Sequence, residues 1–282
     1  MMKKTVCYLI VIIFSFSVFC FSVSAHDRAE HEKDLRCVLF GPPCNLPSIS
    51  VDAKTAMDKL YHASYLSIDQ FNGYGKEDLT YLKNAKIKWL PKSIDDIDFP
   101  ASGHTHRSFT HRGWNFDYSG DDQANWPARK MILLSTVNDI FKFKHTSNNP
   151  DNYKGQCESF AALIYYIHLI GDQIENKKIK AEGLEMNLGG TKDKKNVIDE
   201  LLVFLPNLFP TQKSSGTYTI LTNRLNQLNT RISALVNKTG GIRSDEDFAE
   251  YHECAEELMN ILKLHIPYLL RNEPFFNKVF YK

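Results

Sequence analysis

The sequence predicts an all-α protein, a multi-helix bundle with one long irregular loop that carries a cluster of histidines. Three observations predict it. Apolar residues recur at helical spacing over several long stretches, and no stretch alternates apolar and polar residues well enough to propose a sheet. Residues 92 to 125 lose periodicity altogether in a run of Gly, Pro, Asp, Ser and aromatics, and loops of that length usually carry function. There is no internal repeat and no low-complexity tract.

The N-terminus reads as a secretory signal, residues 1–25. Met1-Met2-Lys3-Lys4 is a short basic start, Thr5 to Val23 is uncharged and apolar, and Val23-Ser24-Ala25 offers the small residues a signal peptidase needs. An uncleaved anchor is the alternative, because the run is nearly long enough to span a bilayer. A lipoprotein acylated at Cys20 is a lesser one. The remainder, residues 26–282, reads as a single helical domain, secreted or periplasmic, with a metal-site core at about 50–176 and C-terminal helices at 195–282. No later segment is apolar enough for a stable membrane span.

The segment to about Pro47 is charged and then turn-rich at Gly41-Pro42-Pro43, and is expected on the surface. Ser50 can cap a helix from 51 to about 66, with Ala56, Leu60 and Ala63 at helical spacing. The pattern resumes from Leu79 to Leu90, where Pro91 stops it. Pro127 fits the first turn of a helix reaching about Lys144, with Ile132, Leu133, Val137, Ile140 and Phe141 inward. A strong helix follows from about Gln156 to Ile174, then one from Val197 to Leu205 ended by Pro206. Two amphipathic helices, 218 to 236 and 244 to 270, complete the chain; Ser244-Asp245-Glu246-Asp247 supplies a cap and carboxylates favoured by the helix dipole.

The charge balance gives the chain no general attraction for polyanions. There are 34 basic and 33 acidic residues, and losing Lys3 and Lys4 leaves the two signs balanced, so no long nucleic acid is indicated. Of six cysteines, four lie beyond the signal, an even number in an exported chain. Cys37 and Cys44 flank a turn-rich loop that a local bridge can close, which leaves Cys157 to pair with Cys254; three pairings are open.

The chemistry-bearing residues are histidines and carboxylates. His104, His106 and His111 crowd into one stretch of the loop, preceded by Asp95, Asp96 and Asp98. His168 and Asp172 lie four apart on one face of an almost wholly apolar helix segment, so the Asp172 carboxylate is expected to be buried and in need of a partner. Imidazole nitrogen and carboxylate oxygen are the ligands that hold zinc-like ions in the absence of thiolates. His252 and Glu256 are a second pair at the same spacing.

An Asp before the loop, a loop histidine, and a helical His-x-x-x-Asp in the setting His-Leu-Ile-Gly-Asp resemble the all-helical family of bacterial zinc-dependent phospholipase C and fungal single-strand-specific zinc nucleases. The match covers about residues 95–172. The resemblance implies zinc, one or more ions, held by Asp96 or Asp98, His111, His168 and Asp172, with His106 a neighbouring candidate and His252 and Glu256 standing for the family's second histidine helix. It implies an exported hydrolase that cleaves a phosphoester or phosphodiester with a zinc-activated water, acting on a small phosphoester or lipid head group. Arg107 and Arg112 would then hold phosphate oxygens, because a guanidinium fork matches that geometry. After Asp172 the chain departs from the family, reading Gln173-Ile174-Glu175-Asn176 in place of Gln-Pro-x-His. Cleavage after Ala25 would expose His26 where the family begins with tryptophan.

Two other readings stand beside this one. Gly155-Gln156-Cys157-Glu158-Ser159 resembles the start of the cysteine helix in papain-like or transglutaminase-like enzymes, with Cys157 as nucleophile. The other is a non-enzymatic exported helical binding protein whose histidines hold a structural metal or line a cleft.

Overall fold

Four polar residues, Ser50, Asn196, Ser215 and Ser244, each stand immediately before an apolar-periodic run, and each starts a helix by accepting a backbone N–H one turn on. Ser50 Oγ accepts from Ala53 at 3.1 Å, Asn196 from Asp199 at 3.0 Å, Ser215 from Tyr218 at 3.2 Å and Ser244 from Asp247 at 3.1 Å. At Asn196 and Ser244 the aspartate three residues on also reaches back to the cap's own N–H, closing a capping box.

The computed structural model describes residues 28–44, 49–68, 75–87, 90, 106–111, 114–119, 126–141, 150–175, 196–238 and 244–281. They form an all-α fold. In chain order the helices are α1 (Arg28–Phe40), α2 (Val51–Ile68), α3 (Gly75–Asn84), α4 (Trp126–Phe141), α5 (Pro150–Glu175), α6 (Val197–Leu208), α7 (Gly216–Val236), α8 (Asp245–Asn272) and α9 (Pro274–Phe280). Between α3 and α4 lies an antiparallel hairpin, β1 (His106–His111) and β2 (Trp114–Ser119), in which His111 pairs with Trp114 and His106 with Ser119.

Helix α5 is the axis of the bundle. Residues 159 to 168 are buried without interruption, and a helix that is buried all round must be covered on every side. The cover comes from α1, α2, α4, α6 and α8, which all pack against it; α3 backs α2, and α7 backs α6 and α8. At one end Phe141 of α4, Phe160 of α5 and Phe275, Phe276 and Phe280 of α9 interlock, with Phe141 stacked on Phe275 at 4.7 Å between centroids. Among the described residues no helix is long and apolar enough to cross a membrane.

The structure departs from the sequence reading at several points. The charged part of the segment before Pro47 is not a surface stretch, although Pro42 and Pro43 in the turn after it are exposed: α1 buries Leu35, Val38, Leu39 and Phe40, and removing each such side chain from water is worth about 1.5–3 kcal/mol. Helix α3 begins at Gly75, inside what reads as a break, and ends at Asn84; Lys86 at φ +57° then turns the chain well before Pro91. Pro206 does not end α6, which continues to Leu208, and the final helix α9 has no counterpart in the sequence reading. Of the two expected disulfides only Cys37–Cys44 forms; Cys157 and Cys254 are both buried free thiols. The signal segment and residues 91–105 lie outside the described residues.

Candidate metal centre

Where α1 crosses α5, three potential ligands converge. His31 is on the first turns of α1, and His168 and Asp172 share one face of α5. One ligand atom from each lies within 4.8 Å of the other two, a spacing that a single cation can bridge. Asp172 Oδ1 is 3.1 Å from His31 Nε2 and 3.7 Å from His168 Nε2. The two imidazoles stack at 4.5 Å between centroids with 17° between their planes. His31, His168 and Asp172 are 4%, 4% and 6% exposed.

Neighbouring residues orient the ligands. Ser64 of α2 is 2.6 Å from His168 Nδ1. With a cation on Nε2, Nδ1 carries the ring proton and donates it to Ser64 Oγ, the outer contact that a ligating histidine needs to fix its tautomer and plane. Tyr65, next on α2, sets its ring edge-on to both imidazoles, 4.8 Å from His168 and 6.0 Å from His31. Gly171 makes room for His31: a Cβ at that position would stand 2.7 Å from His31 Nδ1 and 2.9 Å from its Cε1, closer than real carbon atoms approach.

The donor set fits a divalent transition metal. Two imidazole nitrogens and one carboxylate oxygen suit zinc, and three ligands, the number found among the described residues, leave a position open, whereas structural zinc sites are closed by four. These residues can therefore hold a metal ion; all three ligands are buried, and the contact from Ser64 is already made.

The sequence brings His168 and Asp172 to this place, and the structure adds His31, which lies outside the expected core at 50–176. His252 and Glu256 lie on α8 and are not members of the cluster. His104, Asp95, Asp96, Asp98 and Arg112 lie outside the described residues; the backbone of His106, Arg107 and His111 is in β1, and their side chains lie outside the description. The signal that could have revealed His31 is its register: His31, Leu35, Val38 and Leu39 recur at i, i+4, i+7 and i+8, a buried helical stripe that the surrounding charges conceal.

Cys157 is not arranged as a nucleophile. It lies on the second turn of the long helix α5 rather than at its N-terminus, is 2% exposed, and burial followed by the nearby Glu158 carboxylate pushes its thiol up to about 12. An activated cysteine needs the opposite shift. Native protein treated with a thiol reagent at neutral pH is expected to label at neither Cys157 nor Cys254, with both becoming reactive in denaturant; rapid native labelling of Cys157 would restore the cysteine reading.

Fold and site together define a helical protein with a buried two-histidine, one-aspartate centre able to hold a metal ion. Comparison with protein-family models, curated proteins and solved structures finds no match to this chain.

Proposed function

We propose that the protein is an exported zinc-dependent hydrolase acting on phosphoesters. One observation carries this reading: among the described residues three ligands from two helices converge on one point, a count that leaves a metal an open position for water or substrate. His31, His168 and Asp172 would hold a zinc ion, which would supply the Lewis acidity that phosphoester hydrolysis needs. The chain's own residues do the rest. Asp172 contributes the negative charge of the set, Ser64 would hold His168 in the ligating tautomer once a cation is bound, and Tyr65 walls the site on the α2 side. The resemblance to zinc phospholipase C and the zinc nucleases supplies the substrate class, and with it the expectation that Arg107 and Arg112 hold phosphate oxygens.

A second reading rests on the burial of all three ligands. In it the ion is a structural clamp between α1 and α5, and the protein is an exported binding module without hydrolytic activity.

Elemental analysis of purified mature protein, followed by assays on bis(p-nitrophenyl) phosphate and on phosphatidylcholine vesicles with and without chelator, separates them. The hydrolase reading expects bound zinc and turnover that chelator abolishes and added zinc restores. Zinc without turnover supports the clamp, and absence of any bound metal sinks both. Export expects N-terminal sequencing of the mature chain to begin at His26.

A further inference from the structure

Beside the candidate metal centre lies a second polar cluster, joined to it through the first turns of helix α1, through helix α2 and through the ring of Tyr65. Arg28 begins α1 and precedes His31 by three residues, so the two side chains share a helix face about one turn apart. Its guanidinium is held from several directions. Nη2 meets Asp78 Oδ1 at 2.5 Å, Nε donates to Tyr61 Oη at 2.6 Å, and Cζ lies 4.6 Å from the Tyr65 ring centroid and 4.9 Å from that of Tyr61. Asp78 of α3 is fully buried and also takes His62 Nδ1 at 2.5 Å. Tyr65 Oη donates back to the Arg28 carbonyl at 3.3 Å, so backbone and side chain are both fixed.

We infer that Arg28 is the positioning residue for His31, and that the Arg28–Asp78 clamp sets the metal affinity of the centre. This rests on the metal-binding reading above. The other end of α1 is anchored independently, by Arg271 Nη2 donating to the Phe40 carbonyl at 2.7 Å and by the Cys37–Cys44 bridge, and its middle by the Asp34–Lys263 ion pair at 2.5 Å. Asp34 lies one turn after His31 and Arg28 one turn before it, and Arg28 is the one whose guanidinium lies on the ring of Tyr65, the residue that abuts both imidazoles. Without the guanidinium the first turn of α1 keeps the hydrogen bond from Tyr65 to the Arg28 carbonyl but loses its side-chain anchor on Asp78 and Tyr61, which loosens the 3.1 Å approach of His31 to Asp172.

The sign of the effect separates positioning from bulk electrostatics. A nearby guanidinium repels a divalent cation, so by charge alone its removal would tighten zinc binding. Positioning predicts the reverse, by the tenfold to hundredfold typical of residues that orient ligands from behind.

The test is zinc affinity of the full mature chain, measured by competition with a chromogenic chelator. Arg28→Met is expected to weaken zinc about tenfold to a hundredfold, with Arg28→Lys between it and the parent. Because Arg28→Met leaves Asp78 buried and charged, Arg28→Met/Asp78→Asn removes both partners and keeps the test valid where the single variant fails to fold. In a His31→Ala background the effect of Arg28→Met is expected to vanish, since the two act as one unit. Unchanged or tighter zinc in folded Arg28 variants, or an equal loss in the His31→Ala background, overturns the inference while leaving the metal reading intact. A parent protein that binds no zinc overturns both.

Discussion

Asp172→Asn is expected to abolish metal binding while leaving the helical fold in place. The substitution is nearly isosteric, so packing around α5 is undisturbed, but it replaces the one anionic ligand by a neutral amide whose oxygen is a far weaker donor to a divalent ion. The same carboxylate lies 3.1 Å from His31 Nε2, so the variant also loses the attraction that draws α1 toward α5. Two measurements bear on this. Zinc content by elemental analysis should fall from stoichiometric to background, and the thermal midpoint, raised by zinc in the parent, should no longer respond to zinc. Ion present at a hundred times its dissociation constant is worth about 2.7 kcal/mol of linked stability, which is the size of the response to be lost. Full zinc content in Asp172→Asn would remove Asp172 from the ligand set.

The second large effect is expected at Gly171. Local propensity argues that alanine there should stabilise α5 by about 1 kcal/mol, because glycine is a poor helix former. Tertiary contact argues the other way and should win. The new methyl would stand 2.7 Å from His31 Nδ1, and the ring cannot retreat, being stacked on His168 at 4.5 Å and flanked by Tyr65. Gly171→Ala is therefore expected to destabilise the protein by about 1–3 kcal/mol, the usual cost of overpacking, and to lose zinc as well. Adding His31→Ala should recover stability, since the methyl then fills vacated space, but not zinc. Denaturant melts of the three variants check the first statement and elemental analysis the second. A stabilised, zinc-replete Gly171→Ala would show that His31 is not seated against α5.

Much of the fold is legible because burial and periodicity coincide in it. Helices α2, α4, α5, α7 and α8 carry apolar stripes at helical spacing, and their starts follow from polar caps such as Ser50 and Ser244. Helix α1 is not legible for a physical reason: Arg28, Glu30, Glu32, Lys33, Asp34 and Arg36 dominate its composition, while its buried stripe is short and begins with a histidine. The hairpin hides for a related reason. Trp114, Phe116 and Tyr118 do alternate, but over only six residues, and in a stretch whose histidines invite a metal interpretation first. At the site, His168 and Asp172 are readable because four-residue spacing on a helix is a local fact. His31 is not, because its approach to them depends on how two distant helices cross. Cysteine parity failed for the same reason: an even number permits pairing, but only Cys37 and Cys44, seven residues apart, are brought together.

His31 and Asp172 are about 140 residues apart along the chain, so an ion shared by them would close a loop spanning half the polypeptide. Tying such distant points together removes conformations from the denatured ensemble, a gain that grows slowly with loop length and needs no further contact in the native state. The centre would then act as a removable cross-link. The docking of the first helix onto the bundle axis would follow the supply of metal in the compartment where the chain folds.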